Sequence, residues 1–470
     1  MTPADDALVV GRPTDRELDE SMVRELRPRR WLTWALMVTG AGTLVYFAAV
    51  FYTFGTGVGT WGNNMPIAWA FAITNFVWWI GMGHAGTFIS AILYLLQQKW
   101  RSSINRIAEG MTLFALMQAG LMPVLHLGRP WFFYWLIPYP ATFGVWPQFM
   151  SALTFDIAAV FTYLTVSILF WYQGLVPDLA AVRDVVVGRV RRAIYGVFAL
   201  GWNGSSRQWR HFRKSQLMLA GLATPLVLSV HSIVSIDFAM GNLPGWHSTI
   251  FPPYFVAGAI FQGFAMVIQL IVPIRRIYGI EHVITERHID LCAKLCLGIG
   301  LVLAYTYVYE TFMAWYGGVP WERWMFFRTR PTGPLAWGFW AMIFCNVVAL
   351  QAFWVRRVRR TPWLAWIVAT IIQIGMWLER FVLVVTSQQQ DFLPSSWGMY
   401  YPSVVDAALL LGSMSFFLLL MLLMLRFVPF VPMHEVKETL RGLEWTKTAG
   451  GVVGSSSPDE PPRTREARHA

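Results

Sequence analysis

Apolar runs long enough to cross a bilayer return ten times along this chain, at residues 32–53, 66–97, 105–126, 148–172, 213–240, 253–276, 289–316, 334–355, 362–386 and 401–427. A helix needs roughly 20 such residues to traverse the hydrocarbon layer. The pattern predicts an all-α integral membrane protein with about ten transmembrane helices. The second and seventh runs are long enough to tilt or to project beyond the hydrocarbon. Composition agrees: charged residues make up 13% of the 470, against roughly 25% in soluble domains. Tryptophans near segment ends, among them Trp131, Trp135, Trp146, Trp321, Trp324 and Trp397, form the expected interfacial belt.

The net charge of +11 sits mainly in alternate loops, which argues for topology and against nucleic-acid binding. Arg27–Arg30, Lys99–Arg106, Arg183–Lys214, Arg275–Lys294, Arg356–Arg360 and Arg426–Arg441 are basic. Loops 54–65, 127–147, 241–252 and 387–400 carry little positive charge, and loop 317–333, with Arg323, Arg328 and Arg330, is the exception. The positive-inside pattern therefore places both termini in the cytoplasm. Residues 1–30 are polar, without the apolar stretch and cleavage site of a signal peptide, and are expected to be a cytoplasmic segment. Residues 31–430 form the transmembrane domain. Within it, 188–212 alternates Val190, Ile194, Val197 and Phe198 with arginines, as an amphipathic helix on the cytoplasmic surface would. Pro429 and Pro432 close the last span, and 431–470 is a cytoplasmic tail whose Gly/Ser/Pro-rich end, from about 445, is expected to be disordered.

Ionisable residues inside a membrane are costly and point to function or pairing. By depth, His126, Asp156, His231, Asp237, Glu310, Glu379, Arg380 and Asp406 fall toward the outer side, while the inner half holds mainly His84, Lys294 and Glu109. Scattered structural ion pairs would not favour one leaflet, so a site at the outer face is expected. A histidine and a carboxylate there suit quinol oxidation. Quinol becomes quinone by losing two electrons and two protons, and an imidazole can take one hydroxyl proton while a carboxylate orients or accepts the other.

Structural readings stand beside these. His126 could be an interfacial histidine on a loop carbonyl, Asp156 a packing partner of Arg129 or Arg380, and Asp237 a solvated helix end. Glu379 and Arg380, adjacent on one helix, point to different sides and need separate partners, Glu310 being one candidate. His84 lies in Gly81-Met-Gly-His-Ala-Gly86, a run of small residues that signals close helix packing, where a buried, bonded histidine is the default. Cys292, Cys296 and Cys345 supply neither a haem-attachment motif nor a four-cysteine cluster set. No facing histidine pairs at two depths suggest two haems, so no haem, iron–sulfur cluster or metal is expected in the chain.

Three stretches carry a family resemblance: His84-Ala-Gly-Thr-Phe-Ile-Ser-Ala-Ile-Leu, Gln98-Lys-Trp-Arg-Ser-Ser-Ile-Asn-Arg-Ile-Ala-Glu109, and His126-Leu-Gly-Arg-Pro-Trp131. From about residue 30 to 430 the chain resembles the polysulfide-reductase-type (NrfD-like) membrane subunits, most closely the ActC-type subunits of bacterial alternative complex III. The resemblance implies two four-helix bundles, helices 2–5 and 6–9, flanked by helices 1 and 10. It implies a subunit of the bacterial cytoplasmic membrane that carries no redox centre and is inactive alone. Such a subunit passes electrons from quinol, usually menaquinol, to an iron–sulfur subunit at the outer face, beside multihaem cytochromes and a second NrfD-like subunit. The quinol pocket would map onto His126, Asp156 and Asp237, with Arg129 in the same motif as His126. Coupling to proton movement would draw on His84, His231, Glu310, Glu379, Arg380 and Asp406. A scaffold subunit without quinol turnover and a secondary transporter are the alternative readings; the transporter lacks midplane helix breaks, since Pro123, Pro225 and Pro273 lie toward helix ends or single turns.

Overall fold

The computed structural model describes residues 8–9, 17, 20, 26, 29–136 and 152–448. All regular structure among them is helical. Ten helices among the described residues are long and apolar enough to span a membrane: α1 Arg30–Thr56, α2 Phe71–Leu95, α3 Asn105–His126, α4 Ala152–Val185, α5 Ser206–Ala239, α6 Phe251–Tyr278, α7 Glu286–Tyr316, α8 Ala336–Trp354, α9 Pro362–Gln389 and α10 Val404–Phe427. An eleventh, α11 Met433–Thr448, follows them. The expected belt residue Trp146, the side chain of Trp135 and the tail from 449 lie outside the described residues.

Helix ends depart from the apolar runs where polar residues extend a helix past the hydrocarbon. α4 continues to Val185 because its last turns bury Asp178 beneath α11. The segment 188–212 divides in two. Arg189–Phe198 is a separate surface helix, the chain turns through Gly201 and Gly204 at positive φ, and Ser206 already begins α5. Ser205 caps that start, its hydroxyl accepting from the Gln208 amide at 3.4 Å. Three spans contain a wide π-type turn, Phe88–Ile92 in α2, Phe344–Val348 in α8 and Val382–Thr386 in α9. Such turns often mark functional positions in helices.

Small residues set the helix spacing. A methyl group on Gly86 would stand 2.1 Å from the Ala108 carbonyl oxygen of α3, and one on Gly263 of α6 would stand 2.3 Å from Ala85 Cβ. α2 can therefore lie close to both neighbours, as its Gly-rich run anticipated. α2 packs on α3, α3 on α4, α4 on α5, and α5 returns to α2; α6 packs on α7 and α9, and α8 on both α7 and α9. The α2–α6 and α5–α6 contacts join these groups, while α1 and α10 pair with each other and lean on α3. This is consistent with two four-helix bundles flanked by α1 and α10. Outward side chains such as Trp34, Val38, Leu44 and Phe51 of α1 are exposed and apolar, as a lipid-facing surface requires.

The two ends of the bundle differ. At the arginine-rich end, α11 is fastened by a buried ionic network that depth counting from sequence did not anticipate. Arg106 donates to the Gly174 carbonyl at 2.7 Å and to Asp178 at 3.0 Å, and Asp178 also accepts the His434 amide at 3.2 Å. Glu435 receives Arg101 at 3.2 Å and the Asn105 amide at 3.0 Å. The Trp100–Glu109 stretch is thus the seat of a helix within the segment expected to be a polar tail. Buried ionisable groups are consequently not confined to the opposite end.

Candidate functional site

The opposite end, where α3 stops, gathers His126, Asp156 and Asp237. His126 occupies the last turn of α3, partly buried, with Nε2 3.3 Å from the Ala68 carbonyl oxygen. That carbonyl also accepts from Asn63 Nδ2 at 2.7 Å, and the backbone on either side of it is held by Gln388, which follows the wide turn of α9. Gln388 Oε1 accepts from the amides of Ala68 (3.1 Å) and Trp69 (2.9 Å), and its Nε2 donates to the Trp69 carbonyl at 2.7 Å. The imidazole is flanked by Trp61 and Trp69, with ring centroids 6.0 and 6.2 Å away. Trp69 in turn contacts Phe238 at 5.7 Å and Trp246 at 5.5 Å. An aromatic wall therefore runs from His126 to the residue beside Asp237.

Asp156 of α4, buried, and Asp237 of α5, half-buried, bring their carboxyl groups together. Two carboxyl groups placed so can hydrogen-bond to each other when one is protonated, because a carboxylate has no donor. Each keeps an Oδ1 without a partner among the described residues. Neither carboxyl bonds to His126 among those residues, so three elements of the expected pocket converge on one end as a carboxyl pair and a separate imidazole. A pair sharing one proton can accept a second from a hydroxyl group and pass it on. Arg129 is exposed in the turn after α3, following Gly128 at positive φ.

The remaining predicted residues lie elsewhere. His84 and His231, expected at different depths, are both fully buried and touch, with ring centroids 4.5 Å apart. His84 Nδ1 is 2.8 Å from the Ile80 carbonyl oxygen, while neither nitrogen of His231 has a partner among the described residues. Glu379 and Arg380 do not seek separate partners. Arg380 Nη1 donates to Glu379 Oε1 at 2.6 Å. Helix spacing alone separates their Cβ directions, but a long guanidinium arm can swing back, and in an interior without water neutralising the neighbouring charge outweighs the rotamer cost. Arg380 also lies 4.5 Å from the centre of the Phe255 ring. The other Glu379 oxygen is bonded by the Tyr307 hydroxyl, and Asn346 donates to Tyr307 at 2.9 Å.

Glu310 is buried, and its Oε1 has no partner among the described residues. It borders a cavity of about 410 Å³ together with Glu322. Outside the spans, burial raises the Glu322 carboxyl above its ordinary range, against the hydrogen bond it accepts from the Gly245 amide at 3.0 Å. Asp406 forms a capping box with Ser403 at the start of α10, and its Oδ2 also accepts from the Gly62 amide at 2.7 Å. That placement ties the 57–70 connection, and with it Ala68, to α10. Sequence reading missed Gln388, Trp69, Tyr307 and Asn346. The one signal for Gln388 was a Ser387-Gln-Gln-Gln390 run of amides ending an apolar span. No group of three or more His, Cys, Asp or Glu side chains suited to a metal ion occurs among the described residues.

Comparison with known proteins agrees with this architecture. Residues 59–391 match the family model for polysulphide reductase, NrfD. The chain is 22% identical over 371 residues to an Hdr-like menaquinol oxidoreductase integral membrane subunit of Archaeoglobus fulgidus, covering 76% of this chain and 80% of that protein. It is 24% identical over 210 residues to a Halobacterium salinarum protein named as a membrane subunit of dimethyl sulfoxide reductase, covering 44% of this chain and 43% of that protein's length. With ten apolar helices and a family match over most of its length, the chain is a multi-pass membrane protein that belongs to the NrfD family of polysulfide-reductase-type membrane subunits.

Proposed function

We propose that the chain binds and oxidises quinol for an electron-transfer complex, at the end of the bundle that carries His126, Asp156 and Asp237. The observation that carries this reading is the meeting of Asp156 and Asp237 at the end of the bundle that also holds the aromatic wall of His126, Trp69 and Phe238. A quinol headgroup is an aromatic diol. It stacks on indole and phenyl faces and needs two proton acceptors. The imidazole takes one hydroxyl proton and the carboxyl pair the other, while two electrons leave to a partner. The menaquinol oxidoreductase name of the Archaeoglobus relative supports menaquinol as the substrate.

In this reading the site faces the outside of a bacterial cytoplasmic membrane and both termini are cytoplasmic. An iron–sulfur subunit and multihaem cytochromes cover the site, and a second NrfD-like subunit lies alongside in the bilayer. Arg129 stands at the pocket's rim. His84, His231, Glu310, Glu379, Arg380 and Asp406 are the groups available for proton movement.

The test is menaquinol-dependent cytochrome reduction by the complex purified through a tag on this chain. Replacing His126 by Ala is expected to lower turnover by about a hundredfold with every partner still bound. Full activity in that variant would remove His126 from the reaction.

A further inference from the structure

A cavity of about 910 Å³ lies at the arginine-rich end, away from the carboxyl pair. One wall is the end of α4, with Trp171, Leu175 and Leu179; the other is the surface helix, with Ile194 and Phe198. The helix is fastened to the bundle at two points. Tyr195 donates to the Phe427 carbonyl at 2.9 Å, and Tyr172 donates to the Phe198 carbonyl at 2.8 Å. These bonds fix the helix against α4 and α10, with the groove between them.

Two cations stand at this groove. Arg191 of the surface helix and Arg426 of α10 both line it, and both lie close enough to the Tyr195 hydroxyl to act on it electrostatically. Arg191 is exposed, and Arg426 also donates to the Leu26 carbonyl. Glu20 is the acidic residue of the lining. Apolar walls below paired guanidinium groups, at the level where Trp171 and Tyr172 mark a membrane interface, complement a molecule with aliphatic chains and an anionic head. A quinone offers the chains without the charge.

We propose that this groove is a binding site for an anionic phospholipid, its phosphate held by Arg191 and Arg426 and an acyl chain lying between α4 and the surface helix. The site fastens the Arg189–Phe198 helix to the bilayer and is independent of the quinol reading.

The complex is purified in mild detergent, stripped of loose lipid, and titrated with phosphatidylglycerol, phosphatidylcholine or inorganic phosphate, with bound lipid read by native mass spectrometry. Wild type is expected to hold phosphatidylglycerol about tenfold more tightly than phosphatidylcholine, and inorganic phosphate is expected not to displace it. Arg191→Gln, on an exposed position of the surface helix, is expected to lose most of that preference. Ile194→Trp, which fills the groove and leaves both arginines in place, is expected to lower retention of both lipids. Equal retention of the two lipids, displacement by phosphate, or no change in either variant would overturn the proposal. So would recovery of quinone from the site, or lipid uptake only after deletion of residues 1–25, which would make the chain's own N-terminal segment the occupant.

Discussion

The carboxyl groups of Asp156 and Asp237 meet between α4 and α5. In the proposed reading the pair holds one proton and acts as a single proton-handling unit. Groups that act as a unit give non-additive losses. Asp156→Asn and Asp237→Asn are each expected to lower menaquinol turnover by about a hundredfold, and the double variant to fall little further. Steady-state cytochrome reduction across the four proteins measures this. Losses that multiply would show two independent groups.

The Gly81–Gly86 run allows a contrast within one helix. Gly86 faces the Ala108 backbone, where an added methyl would stand 2.1 Å from a carbonyl oxygen that cannot move aside. At Gly83 the nearest atom, the Thr112 carbonyl oxygen, is 3.5 Å away, an ordinary contact. Gly86→Ala is expected to cost about 1–3 kcal/mol through overpacking. Gly83→Ala is expected to be neutral or to gain up to about 1 kcal/mol from helix propensity. Thermal unfolding of the two variants in detergent separates them, and equal losses would contradict the packing at this crossing.

How much of this was legible beforehand depended on the range of the interaction. Ten spans follow from apolar length, a property each segment carries alone. The Gly81–Gly86 run likewise announced a close crossing, since a small residue has few other uses in a span. The meeting of Asp156 with Asp237 was only half readable. Depth counting puts both residues toward the same face on consecutive spans, but their meeting requires a rotation that apolar residues on every side leave undetermined. The Glu379–Arg380 pair was misread because helix spacing describes Cβ directions and says nothing of how far a guanidinium reaches. The seat for α11 was invisible for a similar reason: Arg106, Asp178 and His434 come from three distant segments, each of which alone reads as a solvated helix end.

Gln388 positions the site without belonging to the proposed chemistry. Its amide makes three bonds to Ala68 and Trp69, the residues that give His126 its carbonyl partner and one aromatic neighbour. Gln388→Leu removes all three bonds while keeping much of the volume. The Ala68–Trp69 connection is then expected to shift, and a displacement of about 1 Å at a reacting group costs up to about a hundredfold in rate. The expected result is a large fall in turnover with assembly of the complex intact. Unchanged turnover would show that the connection is held by its other contacts, such as the Gly62–Asp406 bond.

Glu379 and Arg380 test the cost of an ion pair inside the second bundle. Both side chains are almost wholly buried, and Arg380 Nε and Nη2 find no hydrogen-bond acceptor among the described residues. Glu379→Gln leaves the guanidinium charged with the Phe255 and Tyr254 rings to compensate, and breaking a buried pair in this way costs about 3–5 kcal/mol. Removing the charge as well relieves that penalty, because the uncompensated charge, more than the lost bond, causes most of it. Glu379→Gln with Arg380→Met is therefore expected to be more stable than Glu379→Gln alone, despite carrying two changes. Thermal unfolding in detergent decides the matter: a double variant less stable than the single one would mean that Arg380 is anchored mainly by its aromatic contacts rather than by Glu379.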